Sequence, residues 1–200
     1  MRQILEQLVP VLYERREEKR IRLRLRAKEN KIGRGDGLDE SWKRFRALDA
    51  GDLKEALASE LNRRDGFQRR ALGFLGTVAV MSAFVIGAVS LLRTSRHAVP
   101  SAVTTPLVVL TLVYLGLAAW GALRIVSPGR LYDLNLHNRM PGQERLTEEA
   151  WKDIIIQAIE LNEASNLILA YQSERTSRSL QNGIVCLVAS LVAVVVDSAL

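Results

Sequence analysis

From residue 71 to residue 92 the chain reads ALGFLGTVAVMSAFVIGAVSLL, 22 residues without a charged side chain. As a helix at 1.5 Å per residue, the run reaches about 33 Å, enough to cross a hydrocarbon core of about 30 Å. Eleven of its residues are Leu, Ile, Val or Phe, which together favour insertion by roughly 3 to 7 kcal/mol before polar deductions. A buried core helix of a soluble protein would carry a charged face at some helical phase, and this run has none. It reads as a transmembrane helix.

A second apolar run follows at 103–125, again with eleven residues of that set and no charge before Arg124. Pro106 falls in its first turn, where a missing N–H costs little. The ten residues between the runs, RTSRHAVPSA, are a short loop, so the two spans are expected to form an antiparallel hairpin. The third run, 183–196, covers only about 21 Å. Extended back to Ser179 and on to Leu200, it becomes long enough to span. Asp197 then belongs at the outer boundary, because a carboxylate costs about 2.5–3.5 kcal/mol at mid-bilayer and far less at the edge. We read a third span there, with a half-inserted hairpin or an interfacial helix as the rival.

Whole-chain averages conceal this division. A net charge of +6 and a mean hydropathy of +0.04 describe a basic soluble domain. Yet residues 1–70 hold 19 Lys/Arg and 13 Asp/Glu, residues 71–126 hold three arginines and no acid, and 181–200 hold only Asp197. Basic residues crowd the flanks of the spans: Arg63, Arg64, Arg69 and Arg70 before the first, Arg124 and Arg130 after the second, Arg175 and Arg178 before the third. The loop between the first two carries Arg93 and Arg96 alone. By the positive-inside rule, 1–70 and 127–180 are expected in the cytoplasm. The start, MRQILEQLVPVL, does not read as a signal peptide, since Glu6 and Pro10 interrupt its apolar run.

The expected fold is an all-α membrane protein: a two-span helical hairpin plus a long cytoplasmic helix leading into a third span. Its parts are a basic N-terminal segment and linker (1–38), cytoplasmic helices (39–70), the hairpin (71–126), a cytoplasmic connection and long helix (127–182), and the third transmembrane segment (183–200). Within 1–38, Ile4, Leu5, Leu8, Val11 and Leu12 suggest a short amphipathic helix that Pro10 weakens. Next, Ile21, Leu23, Leu25 and Ala27 alternate with Arg20, Arg22, Arg24 and Arg26, nominally a strand signal. Glu17–Arg20 and Glu18–Arg22 pairing and the lack of a partner strand favour helix instead. These four arginines read as a solvated face or as residues resting on anionic lipid; the nearby acids and the lack of an interleaved aromatic make nucleic acid the poorer partner. KIGRGDGL (31–38) matches neither a Walker loop nor GxGxxG and reads as a linker.

Beyond it, Trp42, Phe45 and Leu48 fall at helical spacing. Asp52 is a candidate cap for a helix in which Leu53, Leu57 and Leu61 recur every fourth residue, with Gly66 a candidate break. Thr147 reads as the N-cap of a long helix whose apolar stripe includes Trp151, Ile155, Ala158 and Leu161 and turns polar after Tyr171. Within the spans, Ala79, Ala83 and Gly87 repeat at four-residue steps, as do Ala118 and Ala122, and mark helix–helix contacts inside the chain or between copies.

No catalytic constellation emerges. His97 and His137 fall on opposite expected sides of the membrane, and Cys186 has no histidine beside it, so no metal site or cofactor is expected. Glu148, Glu149 and Asp153 suit a helix N-terminus. The first two spans lack Asp, Glu, His and Lys, which argues against a proton relay or ion-coupled transport. Any pore would be lined by Thr, Ser and backbone, or gated by dewetting.

The order of parts in LNRRDGFQRRALGFLG (61–76), ALRIVSPGRLYD (122–133) and IELNEASNLILAYQSERTSRSLQNG (159–183) resembles the small bacterial membrane effectors of nucleotide-signalling anti-phage defence, the Pycsar transmembrane effectors and SLATT-type proteins. The likeness covers roughly residues 50–200. It implies an oligomeric inner-membrane protein whose cytoplasmic helices respond to a nucleotide signal and whose membrane helices then impair the bilayer. A membrane scaffold that recruits a partner through residues 1–50 is the alternative.

Overall fold

The computed structural model describes residues 16–33, 43–94, 103–127 and 147–199, and these are all-helical. The elements are α1 (Arg16–Gly33), α2 (Lys43–Arg46), α3 (Ala50–Thr94), α4 (Thr104–Val126) and α5 (Glu148–Ala199). Three of them, α3, α4 and α5, are long and apolar enough to cross a membrane. The expected amphipathic helix before residue 13, the glycine-rich stretch beyond Gly33, Trp42, and both histidines lie outside the described residues.

The alternating arginine run is helical, as its i,i+4 pairing suggests, with Arg22 Nη2 2.7 Å from Glu18 Oε1. Two expectations about α3 need correction. Its cap is Asp49, whose Oδ1 accepts the Asp52 N–H at 2.8 Å; Asp52 itself lies in the first turn. Gly66 does not break it, because α3 runs unbroken for 45 residues. A side chain at Gly66 would meet nothing within 4 Å. Gly66→Ala is therefore expected to stabilise the protein by roughly 0.5–1 kcal/mol through the lost freedom of the unfolded chain, read as a raised thermal midpoint.

α5 starts where the sequence places it. Thr147 Oγ1 accepts the Ala150 N–H at 3.3 Å, and the Thr147 carbonyl accepts the Trp151 N–H at 3.0 Å. Thr147→Ala should cost about 1 kcal/mol, seen as fraying of the first turn in hydrogen exchange. From Ile155, steps of four and three residues taken alternately reach Ser190, and every position met is buried except half-buried Leu169. The same stepping on α3, from Leu53 to Val85, meets only buried or half-buried positions. An average of 3.5 keeps one face turned inward, whereas a strict step of four rotates about 40° each time. That drift moves Leu61 to the edge of the seam, where it is half-buried against the Leu53 and Leu57 core, and puts Glu60 and Arg64 on the seam itself.

Two compact units divide the chain. One includes Glu14–Phe67 and Pro128–Tyr171; its apolar core joins Leu53 and Leu57 of α3 to Ile155, Ile156, Ala158 and Ile159 of α5, with Phe45 and Trp151 against it. The other includes Gln68–Ser127 and Gln172–Leu200. Leu115 and Ala118 of α4 and Leu180 of α5 form a core there, with Phe74, Val78 and Met81 of α3 packed on it.

Candidate functional site

In the second of these units α4 and α5 run antiparallel at close range. Gly121 faces Thr176, and a Cβ at position 121 would collide with the Thr176 hydroxyl and stand 3.3 Å from its Cβ. Seven residues back on α4 and seven on along α5, Gly183 faces Tyr114 and Leu115, where a Cβ would come within 3.3 Å of the Tyr114 Cβ. Glycine on alternate sides lets the two backbones approach. Ala118 and Ala122, expected at helix contacts, are fully buried, and Ala118 belongs to the core of this unit. Ala79, Ala83 and Gly87 lie on an exposed face of α3, so the contacts their spacing marks are not made among the described residues.

The interior of that unit is unusually rich in hydroxyls. Thr104, Thr111, Thr176, Ser179 and Ser190 are all buried. Thr111 donates to the Leu107 carbonyl at 2.9 Å, Thr176 to Gln172 at 2.8 Å and Ser190 to Leu187 at 2.7 Å, each on its own helix. Ser179 Oγ is buried with no hydrogen-bond partner among the described residues. Tyr114 and Asn182 share a side-chain hydrogen bond between α4 and α5.

The other unit carries a polar layer beside its apolar core. Asn162 and Asn166, one turn apart on α5, are each about 1 % exposed. Asn166 Nδ2 donates to both the Glu60 backbone carbonyl, at 2.8 Å, and Glu60 Oε2, at 2.7 Å, while its own Oδ1 has no partner among the described residues. Asn162 Nδ2 donates to the Ala158 carbonyl at 2.9 Å. Glu160 pairs with Lys28 of α1, and Arg46 holds Asp153 with two hydrogen bonds of 3.0 and 2.9 Å. In the expected stripe on α5, Ile155, Ala158 and Leu161 are buried and Trp151 half-buried. The sequence reading missed the asparagines because it followed apolar residues; the steps of three and four, continued past Ile159, reach both.

On α1 the four arginines do not form one group. Residues two apart on a helix point about 200° from each other, so Arg20 and Arg24 are exposed while Arg22 is half-buried and paired with Glu18; Arg26, on the Arg22 side one turn on, is exposed too. Arg16 and Lys19 join the exposed set. Glu18 is only 1 % exposed, and Leu23 stands outward among the cations at 57 % exposure.

Among the described residues no group of three His, Cys, Asp or Glu could hold a metal ion. Cys186 is a free, half-buried thiol on α5. Glu148 and Glu149 are exposed at the start of α5, where Glu148 lies 3.4 Å from Lys152. Compared with protein-family models, curated proteins and solved structures, the chain matches none.

Proposed function

We propose that this chain is a non-enzymatic integral membrane protein that acts as an oligomer, a membrane-disrupting effector of the anti-phage type its layout resembles. In this reading α3 and α4 form a two-span hairpin and α5 supplies a third span. The host membrane is the bacterial inner membrane, with the N-terminal region in the cytoplasm and a nucleotide signal as trigger.

The observation that carries the reading is the outward surface of the three apolar helices. Val80, Phe84 and Ile86 on α3, Val109 and Val113 on α4, and Val185, Val188 and Val192 on α5 are each more than half exposed. Apolar surface on that scale is unfavourable in water and suits lipid. The exposed Ala79, Ala83 and Gly87 support close approach by a helix of another copy, since small residues let backbones meet in a bilayer.

The test separates membrane residence from action. The full chain should stay in the membrane fraction through an alkaline carbonate wash. Expressed in bacteria under phage challenge, it should depolarise the cells, and removal of residues 1–50 should leave that toxicity largely intact. Challenged cells that keep their potential and growth would sink the effector reading while leaving the membrane assignment standing.

The exposed cations of α1 favour a second reading, a scaffold that recruits an anionic partner through residues 1–50. A partner that co-purifies with the full chain and is lost on the same truncation would support it over the first.

A further inference from the structure

The hydroxyls buried in the unit that holds α4 and the second half of α5, with Thr176 set against Gly121, are poorly explained as adhesive. Thr111, Thr176 and Ser190 spend their protons on carbonyls of their own helices, and Ser179 has no partner among the described residues. Alanine or valine would fill the same space without burying a polar atom, and an unsatisfied buried hydroxyl is a cost. Yet α5 presents a polar or thiol group at nearly every turn from Thr176 through Ser179, Asn182 and Cys186 to Ser190, a length of about 21 Å. Tyr114 reaches this line through Asn182, and Thr111 lies on the facing helix. None of these side chains is charged at neutral pH, so the line offers hydrogen bonds without a fixed ion.

We propose that this line is the lining of a water and small-ion path, closed in the packed state by Gly121 against Thr176 and Gly183 against Tyr114, and wetted when α4 and α5 part. The idea rests on the membrane-disrupting reading above and specifies which surface does the disrupting. Closure by close packing keeps the path dry, and hydroxyls and an amide along it replace part of the hydration of a passing ion once it opens. With no ionised group on the rungs, small cations and anions should pass with little discrimination.

Planar bilayers containing the purified full chain, with potassium chloride alone as the permeant salt and stepped voltage, provide the test. Wild-type protein should pass discrete currents. A Thr111→Val, Thr176→Val, Ser179→Ala variant, which keeps the shape and removes hydroxyls, should pass about tenfold less or lower still, since each lost hydrogen-bonding group weakens passage several-fold. Helicity and detergent behaviour matched to wild type would show that the variant folds. A membrane-impermeant, positively charged thiol reagent should reduce the wild-type current through Cys186 and leave Cys186→Ala unaffected. Membrane-inserted wild type that is silent at every voltage, a triple variant that conducts like wild type, or a current indifferent to the thiol reagent would each overturn the proposal. A chain that does not insert at all would instead overturn the membrane reading beneath it.

Discussion

Asn166→Asp should destabilise the unit containing α1 and the first turns of α3 and α5 by roughly 3–5 kcal/mol at neutral pH, the range for a buried charge left without compensation. Asn166 is about 1 % exposed, and its Nδ2 satisfies two acceptors of Glu60 at once. The substitution removes both donated bonds and sets a second carboxylate against the first. Two like charges that close cannot both ionise cheaply, so the new carboxyl group takes up a proton more readily in the folded state than in the unfolded one. The sign follows: its penalty is absent below the unfolded carboxyl value of about 3.9 and grows as pH rises through the raised folded value. Unfolding followed by circular dichroism across pH 4 to 8 should show the variant converging on wild type in acid. Asn166→Leu, which takes the amide donor away from the Glu60 carbonyl and carboxylate but adds no charge, should lose about 1–3 kcal/mol with no such pH dependence. A loss in Asn166→Asp that is flat across that pH range would refute the electrostatic account.

Gly121→Leu should cost about 3 kcal/mol or more, at the upper end for overpacking. Position 121 is buried, and even a Cβ there meets the Thr176 side chain. The helices must separate or α4 must rotate, and either motion disturbs the Ala118, Leu115 and Leu180 core one turn away. The neighbouring Trp120 reports on the change, because it is 59 % exposed and its emission follows the local solvent. Thr176→Ala should relieve much of the milder Gly121→Ala defect, since the colliding atoms are then gone. A double-mutant cycle in detergent measures that relief. Additive losses in the cycle would mean that the two residues are not in contact.

Much of the fold was legible in the sequence because the signals were long. Charge-free runs of more than 20 residues leave a helix little alternative in an apolar medium, and the Thr147 cap and the unbroken stretch after it fix where α5 begins. The finer assignments failed where one residue stood for a geometry. Asp52 looked like a cap because it precedes Leu53, but the cap is set by where the chain first turns helical, which is Asp49. Arg22 looked like its neighbours at positions 20, 24 and 26, although helical rotation turns it toward Glu18. The tight α4–α5 seam was half visible: the alanines at 118 and 122 were evident from spacing, whereas Gly121 and Thr176 are 55 residues apart and nothing local joins them. The polar layer at Glu60 and Asn166 was hidden for a related reason. An asparagine on a mixed helix reads as solvent-facing until its phase relative to a distant helix is known.

The contrast among the glycines carries an evolutionary consequence. Gly66, Gly73, Gly76 and Gly87 face open space, so substitution there is tolerated by the fold of a single copy. Gly121 and Gly183 lie against Thr176 and Tyr114, and their drift is limited by what those partners become. As the protein diverges, positions 121 and 176 should change in concert, a larger residue at one appearing only with a smaller residue at the other. Loss of glycine at 73, 76 or 87 would carry no such companion change among the described residues. Should those positions prove equally invariant, the constraint acting on them comes from outside the described residues, as a neighbouring copy would supply.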